Sequence, residues 1–185
     1  MAVAQFTRHH DVWIIDLLFD DLLDWNTWFH EQRRLPPLNL GCLGSQEGSM
    51  QDARFESGLD NSPMYDSGAC ASSPQGERVC GPWNCSTAGG TEVCGSFLND
   101  RMQQYDVGMA SMHAMDSASL AELAKAIGRH QTASMLVQRS AEMVALIEAH
   151  LWDASSGIYV NRMPDGRFNR RISPTSFYPM LARGP

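Results

Sequence analysis

The chain has 185 residues, within the range of one domain, and 43% of them are apolar, with five Trp and seven Phe, enough to build a sizeable core. Its formal net charge of −7 repels nucleic-acid phosphates and anionic membrane surfaces, so neither is an expected partner. No run of about 18 apolar residues occurs, and no transmembrane helix is expected.

The first apolar run follows Arg8, His9, His10 and Asp11 and is broken by Asp16, Asp20 and Asp21. A signal peptide needs an uninterrupted apolar segment and a small-residue cleavage site, and neither is visible. The chain is expected to be intracellular, with the cytoplasm favoured, unless its true N-terminus lies elsewhere. Residues 12–34 predict a helix, because Val12, Ile15, Phe19, Leu22 and Leu23 recur at helical spacing. Asp11 is its expected N-cap, Arg33 and Arg34 suit its C-terminal dipole, and Pro36–Pro37 stop it. The apolar stripe is wide enough to call for neighbours on more than one side.

Residues 38–67 read as loop with short turns, since Gly, Ser, Asp and Pro dominate. Residues 68–97 are rich in Gly, Ser, Cys and Thr with no period of either kind. They predict an inserted loop, poorly ordered or separately stapled. Four of the five cysteines fall here: Cys70, Cys80, Cys85 and Cys94, with Cys42 outside. An odd total without a signal peptide argues against a disulfide framework. The spacing is too irregular for a zinc ribbon, and no metal or cofactor is expected. Asn84-Cys85-Ser86 formally fits a glycosylation acceptor, expected to be idle. The composition fits a segment foreign to the fold, for instance translated from unremoved intron sequence.

Residues 107–127 predict a second helix, with Met109, Met112, Leu120, Leu123 and Ile127 apolar and Gly128 placed as its C′ residue. A third is expected from about Thr132 to Leu151, and the short connection makes the pair a helical hairpin. Ile158, Tyr159 and Val160 with the turn Pro164-Asp165-Gly166 predict a small β-hairpin over 158–170. Ser173-Pro174 then opens another helix, as N-cap and first helical residue. That helix has barely begun at Pro185, which suggests truncation.

The segment Arg54-Phe55-Glu56-Ser57-Gly58-Leu59-Asp60-Asn61-Ser62-Pro63-Met64-Tyr65-Asp66 concentrates three carboxylates beside Gly58 and Pro63. Acidic groups on such a loop can cap a helix, bind a hard cation or be solvated. Calcium is disfavoured, because the spacing lacks the repeated Asp/Asn pattern of an EF-hand loop. The residues alone favour these bland roles over catalysis, which stays open beside them.

The string FESGLDNSPMYD closely resembles the ESG-x-D-N-S-P motif of glycoside hydrolase family 63 and its mannosylglycerate-hydrolase-like relatives; trehalases of family 37 carry a looser version. Leu22-Leu23-Asp24-Trp25-Asn26-Thr27-Trp28-Phe29 resembles the Trp-rich helix before that motif. Tyr105-Asp106-Val107-Gly108-Met109 resembles the start of the helix after it. Leu151-Trp152-Asp153 through Gly157-Ile158-Tyr159 resembles the LWD-x-x-x-G-x-Y turn, and Ser173-Pro174 with its following aromatics the SP-x-x-F-x-P segment. The segments are collinear and span residues 12–183 apart from 68–97.

The resemblance implies an all-α fold over residues 1–185: part of an (α/α)6 barrel of helical hairpins, with a small β-hairpin and the Cys-rich insertion. It implies an inverting glycosidase acting on an α-linked glucoside or mannoside, in an oligosaccharide or small glycoside. Asp60 then corresponds to the general acid, and its carboxyl needs a raised pKa. Glu56 is expected to raise it or to hold a sugar hydroxyl. Asn61 would supply an amide to the same sugar, Arg54 would bind substrate or pair with Glu56, and Tyr65 would stack on a ring. Phe55 is expected to pack. The family's base is a Glu far toward the C-terminus, and no segment here matches its surroundings; Glu142 and Glu148 lie on an ordinary helix. Asp106 is expected foremost as an N-cap, with a pocket role as the alternative. His113 and His130 are unremarkable by position. Two further readings stand beside the enzyme. One is a truncated or pseudoenzymatic chain retaining a sugar-binding loop; the other, resting on composition alone, is a Cys-rich redox or metal module.

Overall fold

The computed structural model describes residues 12–45, 50–59, 62, 64–65 and 101–182, together with the backbone of five short strands between 70 and 98. Among these residues the chain is mostly helical.

Helix α1 spans Trp13–Gln32. Asp11, its expected cap, falls outside the described residues, and Val12 precedes the helix without a capping side chain. Its buried face carries Ile15, Phe19 and Asn26. The opposite face leaves Trp13, Leu17 and Trp25 at least 60% exposed, so among the described residues only one side of the wide stripe is covered. The helix ends before the prolines, and the chain turns through a hairpin of β1 (Arg34–Leu35) and β2 (Leu40–Gly41), with Leu35 opposite Leu40.

The stretch expected to be only loop contains a helix, α2 (Met50–Ser57). Its sequence, MQDARFES, has no repeating apolar face, so periodicity could not find it; the buried Ala53 is what docks it. Between 68 and 97 the chain likewise forms paired strands. β3 (Cys70–Ser72) pairs antiparallel with β4 (Arg78–Cys80), and β5 (Cys85–Ala88) with β6 (Thr91–Cys94). The registers set Cys70 opposite Cys80 and Cys85 opposite Cys94. Val and Thr between the cysteines are strand formers, which composition alone concealed. β7 (Phe97–Leu98) and β8 (Arg101–Met102) complete the passage.

Helices α3 (Val107–Ala126) and α4 (His130–His150) form the expected antiparallel hairpin. Gly128 closes α3 at φ 74°, the left-handed conformation expected of a C′ residue. α3 is buried nearly all round rather than along one stripe. Ala110, Ala114, Ser117, Ala121 and Ala124 keep its neighbours close, and Ser140 of α4 donates to the Ala114 carbonyl at 2.8 Å. Two apolar clusters result. One joins α1 to the hairpin through Ile15, Phe19, Leu120 and Leu136. The other gathers Leu40, Leu43, Met64, Tyr65, Met143 and Ile147 beneath the loops. Each such side chain stabilises by roughly 1.5–3 kcal/mol when fully buried.

After α4, β9 (Trp152–Asp153) pairs with β10 (Ile158–Tyr159). Ile158 and Tyr159 therefore belong to a tighter turn than expected. Asp153 closes it by accepting from the Ser155 amide and from the Ser155 and Ser156 hydroxyls. Hydrogen bonding from Arg170, at 2.6 Å, and from these serines holds its carboxyl well below the usual range. The predicted hairpin is narrower, β11 (Asn161–Arg162) with β12 (Phe168–Asn169). Ser173 caps the next element as expected, accepting from the Thr175 amide, but Pro174–Phe177 is a 3₁₀ turn followed by a short helix α5 (Pro179–Ala182). No helix among the described residues is long and apolar enough to cross a membrane.

Candidate active site

The N-terminal end of α3 is where the distant loops meet. Asp106 is fully buried there and caps the helix, accepting from the Met109 amide at 2.7 Å. Its other oxygen accepts from the Tyr65 hydroxyl and the Asn161 side-chain amide, both at 2.9 Å. Asn161 in turn accepts from the Val107 amide at 2.8 Å. Burial pushes the Asp106 carboxyl up, while the hydrogen bonds from Met109, Tyr65 and Asn161 oppose the shift. Gly108 sits where a Cβ would lie 2.7 Å from Thr175 Cγ2, so a larger residue would push the 3₁₀ turn off the helix end.

The same core disposes of one expected contact. Tyr65, a candidate sugar platform, is 0% exposed and presents no ring face to a ligand. Burial, with the neighbouring Asp106 charge, pushes its hydroxyl far above the ordinary value, so it acts as a proton-holding donor. It is a link between the chain that follows α2 and the helix cap. Asn169 adds another, donating to the Met64 carbonyl at 2.8 Å and to Gln104 at 3.0 Å.

Glu56 lies in the last turn of α2 and is held from two sides. The Arg33 guanidinium grips it through Nε, 2.8 Å from Oε2, and through Nη2, and the Gly44 amide donates to Oε2 at 2.7 Å. Sequence reasoning offered Arg54 as its partner and gave Arg33 only a dipole role. Arg54 instead donates to the Tyr65 carbonyl at 2.9 Å; two residues from Glu56 on the same helix, it does not share that residue's face. Phe55, expected to pack, is 54% exposed on the side away from Ala53. Asp60 and Asn61 lie outside the described residues.

Glu56 lines a cavity of about 340 Å³, with Trp25 and Phe29 of α1 and Met109, His113 and Asp116 of α3. Trp25 and Phe29 meet edge to face with centroids 5.0 Å apart. Asp116 is fixed by the Asn26 amide at 2.8 Å. His113, read as unremarkable, is buried, and its Nε2 has no partner among the described residues. Burial, reinforced by His30 and Arg139, brings its pKa down to about 4, so the ring is neutral near pH 7. Its helical position opposite the Trp-rich helix was the available signal. The arrangement can stack one apolar face of a small polar molecule on aromatic rings and meet its hydroxyls with carboxylate and imidazole. The remaining cysteine with described surroundings, Cys42, is buried and its thiol is pushed up to about 12, so it is no nucleophile. Among the described residues no group of three His, Cys, Asp or Glu could hold a metal ion.

A family model described as the mannosylglycerate hydrolase MGH1-like glycoside hydrolase domain matches residues 1–185. Among curated proteins none matches the chain.

Proposed function

We propose, since the chain belongs to the mannosylglycerate hydrolase MGH1-like glycoside hydrolase family, that it cleaves an α-linked glucoside or mannoside with inversion, using Asp60 as general acid. The observation that carries this reading is the double grip on Glu56 by Arg33 and Gly44 at the edge of the Trp25–Phe29 cavity. It fixes the end of α2 four residues before Asp60, so the acid segment starts from a rigid point beside a concave, aromatic surface.

In this mechanism Asp60 gives its proton to the departing glycosidic oxygen. Glu56 is a positioning residue: its charge is matched by Arg33, so the raised pKa of the acid must come from desolvation as substrate fills the site. Asn61 and Arg54 contribute polar contacts to the sugar. Inversion requires a second carboxylate roughly 6.5–9.5 Å away to activate water. Glu142 accepts from Gln138, and Glu148 from Tyr159; neither lines the Glu56 cavity, and the base is assigned to neither. α1, α3 and α4 are read as part of an (α/α)6 barrel, with 68–97 as an insertion within a single domain. The expected compartment is the cytoplasm, and the expected partner an oligosaccharide or small glycoside.

Hydrolysis of α-glucosides and α-mannosides tests the reading. Asp60→Asn should lower kcat by about 10²–10⁴-fold, with the β-anomer released first by the unaltered chain. Activity that survives the substitution removes Asp60 as acid. The alternative, a non-catalytic chain that retains sugar binding, is favoured by one observation: both carboxylates lining the cavity, Glu56 and Asp116, already hold structural partners. Binding without turnover in the unaltered chain would select it.

A further inference from the structure

The cysteines between residues 70 and 94 have no role in the proposed hydrolysis, and the backbone sets them in a repeated arrangement. β3–β4 and β5–β6 are separate antiparallel pairs. In the first, Cys70 stands opposite Cys80; in the second, Cys85 stands opposite Cys94. Each cysteine pair occupies the end rung of its ladder, away from the reversal of the chain between Ser72 and Arg78 or between Ala88 and Thr91.

That register matches the reach of a disulfide. Directly opposed residues of an antiparallel pair have Cα atoms about 4.5–5.5 Å apart, and a disulfide bridges Cα separations of roughly 4.4–6.8 Å. Four cysteines allow more than one connectivity, and the register selects one. The fifth thiol does not compete. Cys42 is 0% exposed in the core, and burial pushes its thiol up to about 12, which withholds the thiolate that exchange requires. The odd total thus divides into one core residue and an even set. Ladders this short are marginal by themselves in water, and a bond across the open end restricts the unpaired chain. Zinc fits less well, because the paired ligands of a structural zinc site typically sit about two to four residues apart, whereas each pair here closes a whole hairpin.

From this placement we infer that Cys70 with Cys80 and Cys85 with Cys94 are two disulfide-forming pairs, each closing the open end of its own hairpin when a small disulfide oxidant such as glutathione disulfide is supplied. One cysteine thiolate attacks a sulfur of the oxidant, and the first glutathione leaves as a thiolate that takes up a proton. The opposed cysteine, deprotonated in turn, attacks the mixed disulfide and expels the second glutathione. Each bond removes two protons and two electrons from the cysteines, and both end on the two glutathione thiols. The pairing does not depend on the role given to Asp60.

Mass mapping tests it. The full chain is treated with glutathione disulfide under native conditions, then denatured, alkylated and digested without reduction. Trypsin cuts after Arg78 and a glutamyl endopeptidase after Glu92, inside the respective loops, so each disulfide holds together two peptides that part on reduction. Cys42 alone should be alkylated, and the linked peptides should be Cys70 to Cys80 and Cys85 to Cys94. Cys70→Ser should leave Cys80 free or bound to glutathione and the Cys85–Cys94 link intact; Cys94→Ser should do the reverse. The same oxidation in concentrated guanidinium chloride should mix the connectivities. That comparison uses the unaltered chain, so it decides the matter even if a variant folds poorly. Alkylation of all five cysteines after native oxidation, a dominant Cys80–Cys85 link, connectivities as mixed in the native chain as in the denatured one, or thiols held by a zinc ion and released by a chelator would each overturn the inference.

Discussion

The α3–α4 hairpin and the loop layer over its N-terminal end share one helix but answer to different forces. In the hairpin, Leu136, Met143 and Ile147 are almost wholly enclosed and apolar burial dominates. In the loop layer the connections are directional: Tyr65, Asn161 and Met109 converge on Asp106, and Arg33 and Gly44 on Glu56. Burial is tolerant of shape and fixes where helices lie. Directional bonds fix where particular side chains end up, which is what a site requires.

Four measurements sharpen the contrast. Leu136→Ala, at the α1–α3–α4 junction, should cost about 3 kcal/mol of stability in urea unfolding and leave any residual activity per folded molecule unchanged. Asp106→Ala should cost about 2 kcal/mol, losing the cap and orphaning Tyr65 and Asn161. Asp106→Asn should cost less, since it keeps an acceptor for Met109. Glu56→Gln should cost about 1.5 kcal/mol by leaving the Arg33 guanidinium with a neutral partner, yet reduce turnover far more than Leu136→Ala does. Equal losses of turnover in those two variants would erase the distinction between the regions.

The fourth measurement uses acid. Burial brings His30 and His113 down to about 4 from an ordinary 6.5. The unfolded chain therefore takes up protons first as pH falls from 6.5 toward 4, and stability falls with it across that window. Above 6.5 these rings contribute full stability, and below about 4 the loss levels off because both states are protonated. Over the first unit of the window this is the smallest of the four effects. Urea midpoints at about pH 7, 5.5 and 4 should decline in that order.

What the sequence made legible follows the same division. α1, α3 and α4 lie within two residues of their expected bounds, because periodic apolar residues report burial directly. The caps at Asp106 and Ser173 were legible too, being local chemistry. α2 was not, for it has no apolar repeat and rests on its neighbours. Nor was the Arg33–Glu56 pair, 23 residues apart, or the Tyr65–Asp106 bond, 41 apart. Both partners in each pair were visible as residues; their meeting depends on tertiary closure, which spacing along the chain does not encode. Tyr65 shows the cost: an aromatic beside an acid motif looked like a ligand platform, and closure turned it inward.

The Asp106 carboxylate has a consequence for the order of assembly. It reads three stretches of chain at once: one 41 residues upstream, one three downstream and one 55 downstream. A nascent polypeptide that has not yet delivered Asn161 from the ribosome lacks the last of these, and Tyr65 has no finished seat. Helix pairing can run ahead during synthesis, but the seat is sealed late, as a coincidence of arrivals.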